Sequence, residues 1–115
     1  MTTQFSFSAG RNTDFAVTAV INRKDGEPLD LAGYRACMQI RAYAQSPTVV
    51  DELTTENGRI QADGNTLRLS FVHEKTKAYP TNTVYDLYLI SPSEQYSRVL
   101  AGKITTSEEV TRCLP

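Results

Sequence analysis

Between residues 34 and 42 apolar and polar side chains alternate. Tyr34, Ala36, Met38 and Ile40 fall on one side, and Arg35, Cys37, Gln39 and Arg41 on the other. Period-two alternation is the mark of a strand with one face in a core and the other in solvent or against another protein. The same pattern predicts a strand over residues 14–22, where Phe15, Val17, Ala19 and Ile21 oppose Ala16, Thr18 and Val20. It predicts another over 66–72, with Leu67, Leu69 and Phe71 inward and Arg68 and Ser70 outward. Residues 83–91 are apolar at most positions, with Asp86 as the one interior charge. Such a strand is central in its sheet or covered by a partner. Residues 96–106 read as a strand in which Arg98, Leu100, Gly102 and Ile104 alternate against Val99, Ala101 and Lys103.

Shorter segments complete the pattern. Phe5-Ser6-Phe7 opens the chain, and 59–62 is a brief strand. Residues 49–55 place Val49, Asp51, Leu53 and Thr55 opposite Val50, Glu52 and Thr54. This segment reads as an edge strand, with the carboxylates of Asp51 and Glu52 deterring foreign pairing. Asp25-Gly26, Asn57-Gly58 and Asp63-Gly64-Asn65 are turn sequences. Pro28 and Pro47 break the chain between strands. The one predicted helix, over 73–79, is ended by Pro80.

About eight strands with frequent turn signals and no crossover helix predict an all-β fold. The expected architecture is a single antiparallel β-sandwich, Ig-like or jelly-roll-like, in preference to a parallel sheet. Its core is expected to hold Phe15, Val17, Ile21, Met38, Ile40, Leu67, Leu69, Phe71, Leu87 and Leu89. With 115 residues, the chain is long enough for one domain and one core. We assign residues 1–115 to that domain, with short terminal arms at 1–4 and 107–115.

Charge and cysteine usage narrow the function. Twelve basic and 13 acidic side chains give a formal net charge of −1, so no global attraction to nucleic acid or anionic lipid is expected. No apolar run approaches the roughly 20 residues that span a bilayer, and the first residues lack a secretory pattern. Assembly in a cytoplasm is the natural reading, and there Cys37 and Cys113 are expected to be reduced thiols.

Candidate chemistry is sparse. The single histidine, His73, precedes Glu74 at the predicted helix start, where an acidic side chain suits the helix dipole. Catalysis by His73 requires a nucleophile and an orienting group beside it. Asp51 and Glu52 are neighbours on a strand, so they point to opposite faces and cannot act as a carboxylate pair. Asp63-Gly64-Asn65 lacks the ligand series and closing glutamate of a calcium loop. Cys37, mid-strand, reads as a small apolar group rather than a nucleophile. Six single glycines at turns form no phosphate loop. We therefore expect no catalytic residue, no cofactor, no metal site and no small-molecule substrate. The arginines at 35, 41, 59, 68 and 98 lie on strand faces, where they are solvated or bind carboxylates of a partner. The six tyrosines, at 34, 43, 79, 85, 88 and 96, suit half-buried strands and protein interfaces alike.

Several stretches resemble a family of small bacteriophage virion structural proteins. They are Phe-Ser-Phe-Ser-Ala-Gly-Arg-Asn-Thr-Asp-Phe at 5–15, Asp-Gly-Glu-Pro-Leu-Asp-Leu-Ala-Gly-Tyr-Arg-Ala-Cys-Met-Gln-Ile-Arg at 25–41, and Glu-Leu-Thr-Thr-Glu-Asn-Gly-Arg-Ile at 52–60. Leu-Arg-Leu-Ser-Phe at 67–71, a short helix, a proline and Val-Tyr-Asp-Leu-Tyr-Leu at 84–89 continue the likeness. The family includes stand-alone virion proteins and the β-sandwich N-terminal domains of baseplate and tail-fibre proteins. The resemblance implies a virion structural role and transfers no site residue. With no shaft or receptor-binding domain following, it suits a capsid decoration (cement) protein, with a tail or baseplate accessory or fibre-attachment protein as the alternative. The implied partners are the phage major capsid protein or other virion subunits, together with further copies of the chain in a homodimer or higher oligomer. The terminal arms are expected to lie along neighbouring subunits, in preference to edge pairing by 49–55, the alternative being that they fold back on their own domain. A reading of a different class is a soluble ligand- or protein-binding β-sandwich module, which the face of Arg35, Gln39 and Arg41 would also serve. An enzyme using Cys37 or His73 is the third.

Overall fold

The alternating segments pair into two sheets that close over one core. A computed structural model describes residues 2–111 and Cys113. Its elements are β1 (Thr3–Gln4), β2 (Phe7–Gly10), β3 (Phe15–Val20), β4 (Arg35–Arg41), β5 (Asp51–Thr54), β6 (Ile60–Asp63), β7 (Thr66–Phe71), α1 (His73–Thr76), β8 (Asn82–Ile90) and β9 (Tyr96–Ser107). A six-stranded sheet has the order β1-β9-β8-β4-β5, with β2 continuing the line of β1 along β9. A three-stranded sheet has the order β3-β7-β6. The expected all-β sandwich is therefore the fold, and the single helix among the described residues is one turn long.

Inner faces supply the core as the alternation requires. Ala36, Met38, Ile40, Leu53, Leu87, Leu89, Leu100 and Ile104 of the large sheet are buried, as are Ile60, Leu67, Leu69 and Phe71 of the small one. Phe15 and Val17, on the outermost strand of the small sheet, are half-buried and pack onto the core rim. Phe15 stacks on Phe71, with ring centroids 4.6 Å apart and planes within 6°. Leu31, in the apolar hook before β4, is buried and ties to the β6–β7 hairpin through its N–H on the Gly64 carbonyl, 2.9 Å away. That hairpin turns on two residues, Gly64-Asn65, with Gly64 at φ +62°, a conformation in which a side chain is strained.

Two features depart from the sequence reading. The first is the N-terminal segment. The expected arm at 1–4 is not free where it is described, because Thr3–Gln4 and Phe7–Gly10 both pair parallel with β9. The sheet is accordingly mixed rather than purely antiparallel. Burial drives this placement: Phe7 packs edge-on against Phe71 and Tyr85, with centroids 5.8 and 5.7 Å apart. Between β1 and β2 the chain kinks, and side chains repair the ladder. Phe5 N–H donates to Ala101 O at 2.9 Å, and Lys103 N–H to Ser6 Oγ at 3.0 Å. The buried Tyr85 hydroxyl donates to Phe5 O at 2.5 Å, and burial pushes that phenol up to about 12. The arm at 107–115 is likewise tied back where it is described. Ser107 O accepts the Arg11 N–H at 3.0 Å, Glu108 faces Arg11, and Glu109 accepts from Asn12 Nδ2 at 3.3 Å. Residues 1, 112, 114 and 115 of the two arms lie outside the described residues.

At the kink the backbone of Phe5 lies directly over Gly102, where a Cβ would run into the Phe5 carbonyl. Gly102→Ala should therefore lift the N-terminal strand off β9 and strand the Tyr85 hydroxyl. We expect a loss of about 1–3 kcal/mol in denaturant melts, the usual cost of overpacking. A neutral result would mean that the N-terminal strand contributes little to the fold.

The second departure is a β-bulge. Leu87 pairs with Leu100 but Tyr88 pairs with Arg98, so Val99 is the extra residue. A bulge breaks the two-residue period, and it moves Arg98 to the outer face, opposite Leu100.

Candidate interaction surface

The outer face of the large sheet brings together the polar side of β4 and the neighbouring strands. Pairing registers define its rows. Arg35, Ile90 and Tyr96 form the first, and Thr54, Cys37, Tyr88 and Arg98 the second. Glu52, Gln39, Asp86, Ala101 and Gln4 form the third, and Arg41, Val84 and Lys103 the fourth. No element of the described chain covers this face, and the one-turn α1 is too short to serve. Tyr88 is 37% exposed and Tyr96 67%, although both lie on sheet strands.

The face has an apolar end and a polar end. A shallow apolar depression of about 370 Å³ is lined by Cys37, Gln39, Asp86, Tyr88, Ile90 and Tyr96. Beside it runs an open groove of about 390 Å³, where Gln4, Gln39, Arg41, Asp86, Arg98 and Lys103 supply polar groups. Several of these side chains hold one another in place. Gln39 Nε2 donates to Glu52 Oε2 at 2.6 Å, Arg41 donates to Gln39 Oε1 at 2.7 Å, and its other nitrogen donates to Ser46 O at 2.7 Å. Arg35 is held by Glu94 at 3.0 Å, and Arg98 lies 3.9 Å from Asp86. Pre-ordered long side chains lose less entropy on binding. Tyrosine and arginine around an apolar centre, with both charge signs at the rim, is the composition of protein interfaces.

Of the residues considered for catalysis, His73 lies away from this face and Cys37 lies on it. His73 Nδ1 lies 3.0 Å from Asp14 Oδ1, and its backbone N–H donates to the same oxygen at 2.7 Å. These two bonds, the backbone one first, hold the exposed Asp14 carboxyl below its ordinary range. Among the described residues no nucleophile hydrogen-bonds to the His73 ring, so the pair is a clasp between the start of β3 and α1. Burial, followed by the carboxylates of Glu52, Glu56 and Asp86, pushes the Cys37 thiol up, which disfavours the reactive thiolate. Cys37 and Cys113 are both free thiols. Among the described residues no group of three or more potential ligands is placed to hold a metal ion.

Asp51 is the clearest correction. The expected deterrent on the edge strand is buried, at 5% exposure, while Glu52 alone faces outward. Arg59 grips it with two parallel bonds of 2.8 Å, and the Tyr79 hydroxyl donates to Oδ2 at 2.5 Å. Arg59 also donates from Nε to Ser70 O at 3.1 Å. The cluster thus bolts the edge of the large sheet to the small one. Burial pushes the Asp51 carboxyl up, but the bonds from Arg59 and Tyr79 outweigh it and leave its pKa below the ordinary range. Burial first, and Asp51 second, push the Tyr79 phenol up.

The period-two alternation of residues 34–42 places Arg35, Gln39 and Arg41 on this surface. The same reading counts Arg98 among the strand-face arginines but sets it on one side with Leu100 and Ile104, an error that the bulge causes, and it misses Gln4, hidden by the parallel pairing. Tyr88 and Ile90 were signalled by the doubly apolar character of β8. The fold and this surface define an all-β sandwich with an uncovered tyrosine- and arginine-rich sheet face. The chain matches no protein-family model and no curated protein.

Proposed function

We propose that the chain is a phage virion structural protein, most specifically a capsid decoration protein that seats its outer sheet face on the assembled shell. The uncovered face of Tyr88, Tyr96, Ile90, Arg35 and Arg98 carries this reading. Net charge near zero gives little long-range steering, so attachment rests on shape, apolar contact and short polar bonds. The resemblance at 5–15, 25–41 and 52–60 supplies the virion context. The sandwich replaces the terminal arms as the binding element, because the arms are occupied on their own domain as far as they are described. The chain would act as a protein binder and not as an enzyme.

A cleft at the open side of the sandwich favours the second reading, a soluble ligand-binding module. It encloses about 680 Å³ and is lined by Arg23, Lys24, Leu29, Tyr34, Gln95 and Val99, among others. Sedimentation of purified virions with the protein separates the two. A decoration protein pellets with particles at fixed stoichiometry and saturates. A protein that stays in the supernatant at all concentrations would overturn the virion reading and leave the cleft as the place to look.

A further inference from the structure

The free edge of β3 differs from the other sheet edges. Among the described residues β3 pairs with β7 alone, in an unbroken register from Phe15 opposite Phe71 to Val20 opposite Thr66. The Ile21 N–H donates to Asn65 O at 2.8 Å, and on the far side of β7 the Ser70 N–H donates to Arg59 O at 2.8 Å. Antiparallel ladders alternate, so Phe15, Val17, Ala19 and Ile21 bond to β7. The N–H and C=O groups of Ala16, Thr18 and Val20 therefore point outward from the sheet edge. Edge strands are ordinarily blunted by charge, proline, a bulge or brevity. On β5 the exposed Glu52 serves, and β6 is four residues long and ends at Asp63. The six residues of β3, Phe-Ala-Val-Thr-Ala-Val, include none of these devices. Val20 is 62% exposed, and an open cleft of about 300 Å³ lined by Phe5, Val17, Ala19, Ile21, Val99 and Leu100 runs beside the edge.

We infer that this edge pairs antiparallel with β3 of a second copy of the chain, about a two-fold axis at Thr18. The outward groups set the register, because Ala16, Thr18 and Val20 must meet the same three residues of the other copy. Thr18 then faces Thr18, and Ala16 faces Val20 on either side. Each of these three pairs exchanges two backbone bonds, and the threonines form a favourable cross-strand pair. Charge complementarity selects a second copy over a foreign strand. Continued past the strand, the register sets Asp14 opposite Asn22, next to Arg23 and Lys24 of the other copy. The two-fold repeats that acid–base match at both ends. Among the described residues Arg23 pairs with Asp25 alone, at 3.7 Å, and Lys24 has no ion pair. His73, clasped to Asp14, is the other titratable group at this end. No like charges oppose along the strand. The product is one continuous sheet in the order β6-β7-β3-β3-β7-β6. This inference does not depend on the virion reading, and it leaves the outer face of the large sheet free.

Sedimentation equilibrium tests it. The protein should be dimeric at about 100 μM, and Thr18→Lys should shift it to monomer by placing two ammonium groups opposite each other at the axis. Thr18 is exposed, so the fold is kept, as circular dichroism would verify. Thr18→Glu should also be monomeric, and an equal mixture of the two variants should regain the dimer. Thr18→Pro is the second variant: it removes an N–H that β7 does not use, and it should weaken association at least about tenfold. A monomeric wild type, or dimers that survive both Thr18→Lys and Thr18→Pro, would overturn the proposal.

Discussion

Arg59→Met should destabilise the protein by about 3–5 kcal/mol in urea melts at pH 7, the range seen when one partner of a buried ion pair is removed. The loss comes less from the missing attraction than from what stays behind. Asp51 would keep its buried position with only the Tyr79 hydroxyl to satisfy it. The defect should depend on pH in a defined direction. In the wild type the Asp51 carboxyl is held below its ordinary value, so its contribution is present above about pH 4 and fades as pH falls through the folded pKa. Once pH has fallen through that lowered folded pKa, a protonated Asp51 needs no guanidinium, and the gap between wild type and variant should narrow. A gap of constant size from neutral to acid pH would show that Arg59 acts through packing alone. Replacing both partners, as in Asp51→Leu with Arg59→Met, should recover much of the loss, since paired removal leaves no orphan charge.

Leu69→Ala should cost about 2–5 kcal/mol, the range for emptying a leucine site in a packed core. Leu69 is 1% exposed and sits on β7, the central strand of the small sheet, between Val17 on β3 and Ile60 on β6. Its surroundings belong to both sheets, so they cannot collapse without shifting a ladder. Denaturant melts would measure the loss, and a cost under about 1 kcal/mol would mean that the core is looser than the burial implies.

Leu69 was legible from sequence because its neighbours Leu67 and Phe71 keep strict period two, with Arg68 and Ser70 between them. The same holds for Met38 and Ile40 on β4, and for the position of β5 at a sheet edge. Asp51 was not legible. It shares a side with the buried Leu53, which pointed inward, but its partners Arg59 and Tyr79 stand eight and 28 residues further on. Local pattern cannot place them. The N-terminal strand was missed for a related reason. Parallel pairing of Thr3 with Leu100 joins the two ends of the chain, and no turn signals it. Arg98 was assigned to the wrong face because a bulge is an exception to the period on which the assignment rests. The interaction surface was therefore half visible: β4 announced it, and the topology completed it with β8 and β9.

That surface carries the account, and occupancy of virions by a face variant tests it most directly. Tyr88→Glu combined with Tyr96→Glu changes two exposed side chains without touching the core. Aromatic anchors at an interface centre are worth at least about 2 kcal/mol each, so the double variant should bind particles about 700-fold more weakly than the wild type, and at least about 30-fold more weakly if only one of the two is an anchor. Its unfolding midpoint should be unchanged. Full occupancy by the double variant at wild-type concentrations would contradict the assignment of this face as the binding surface.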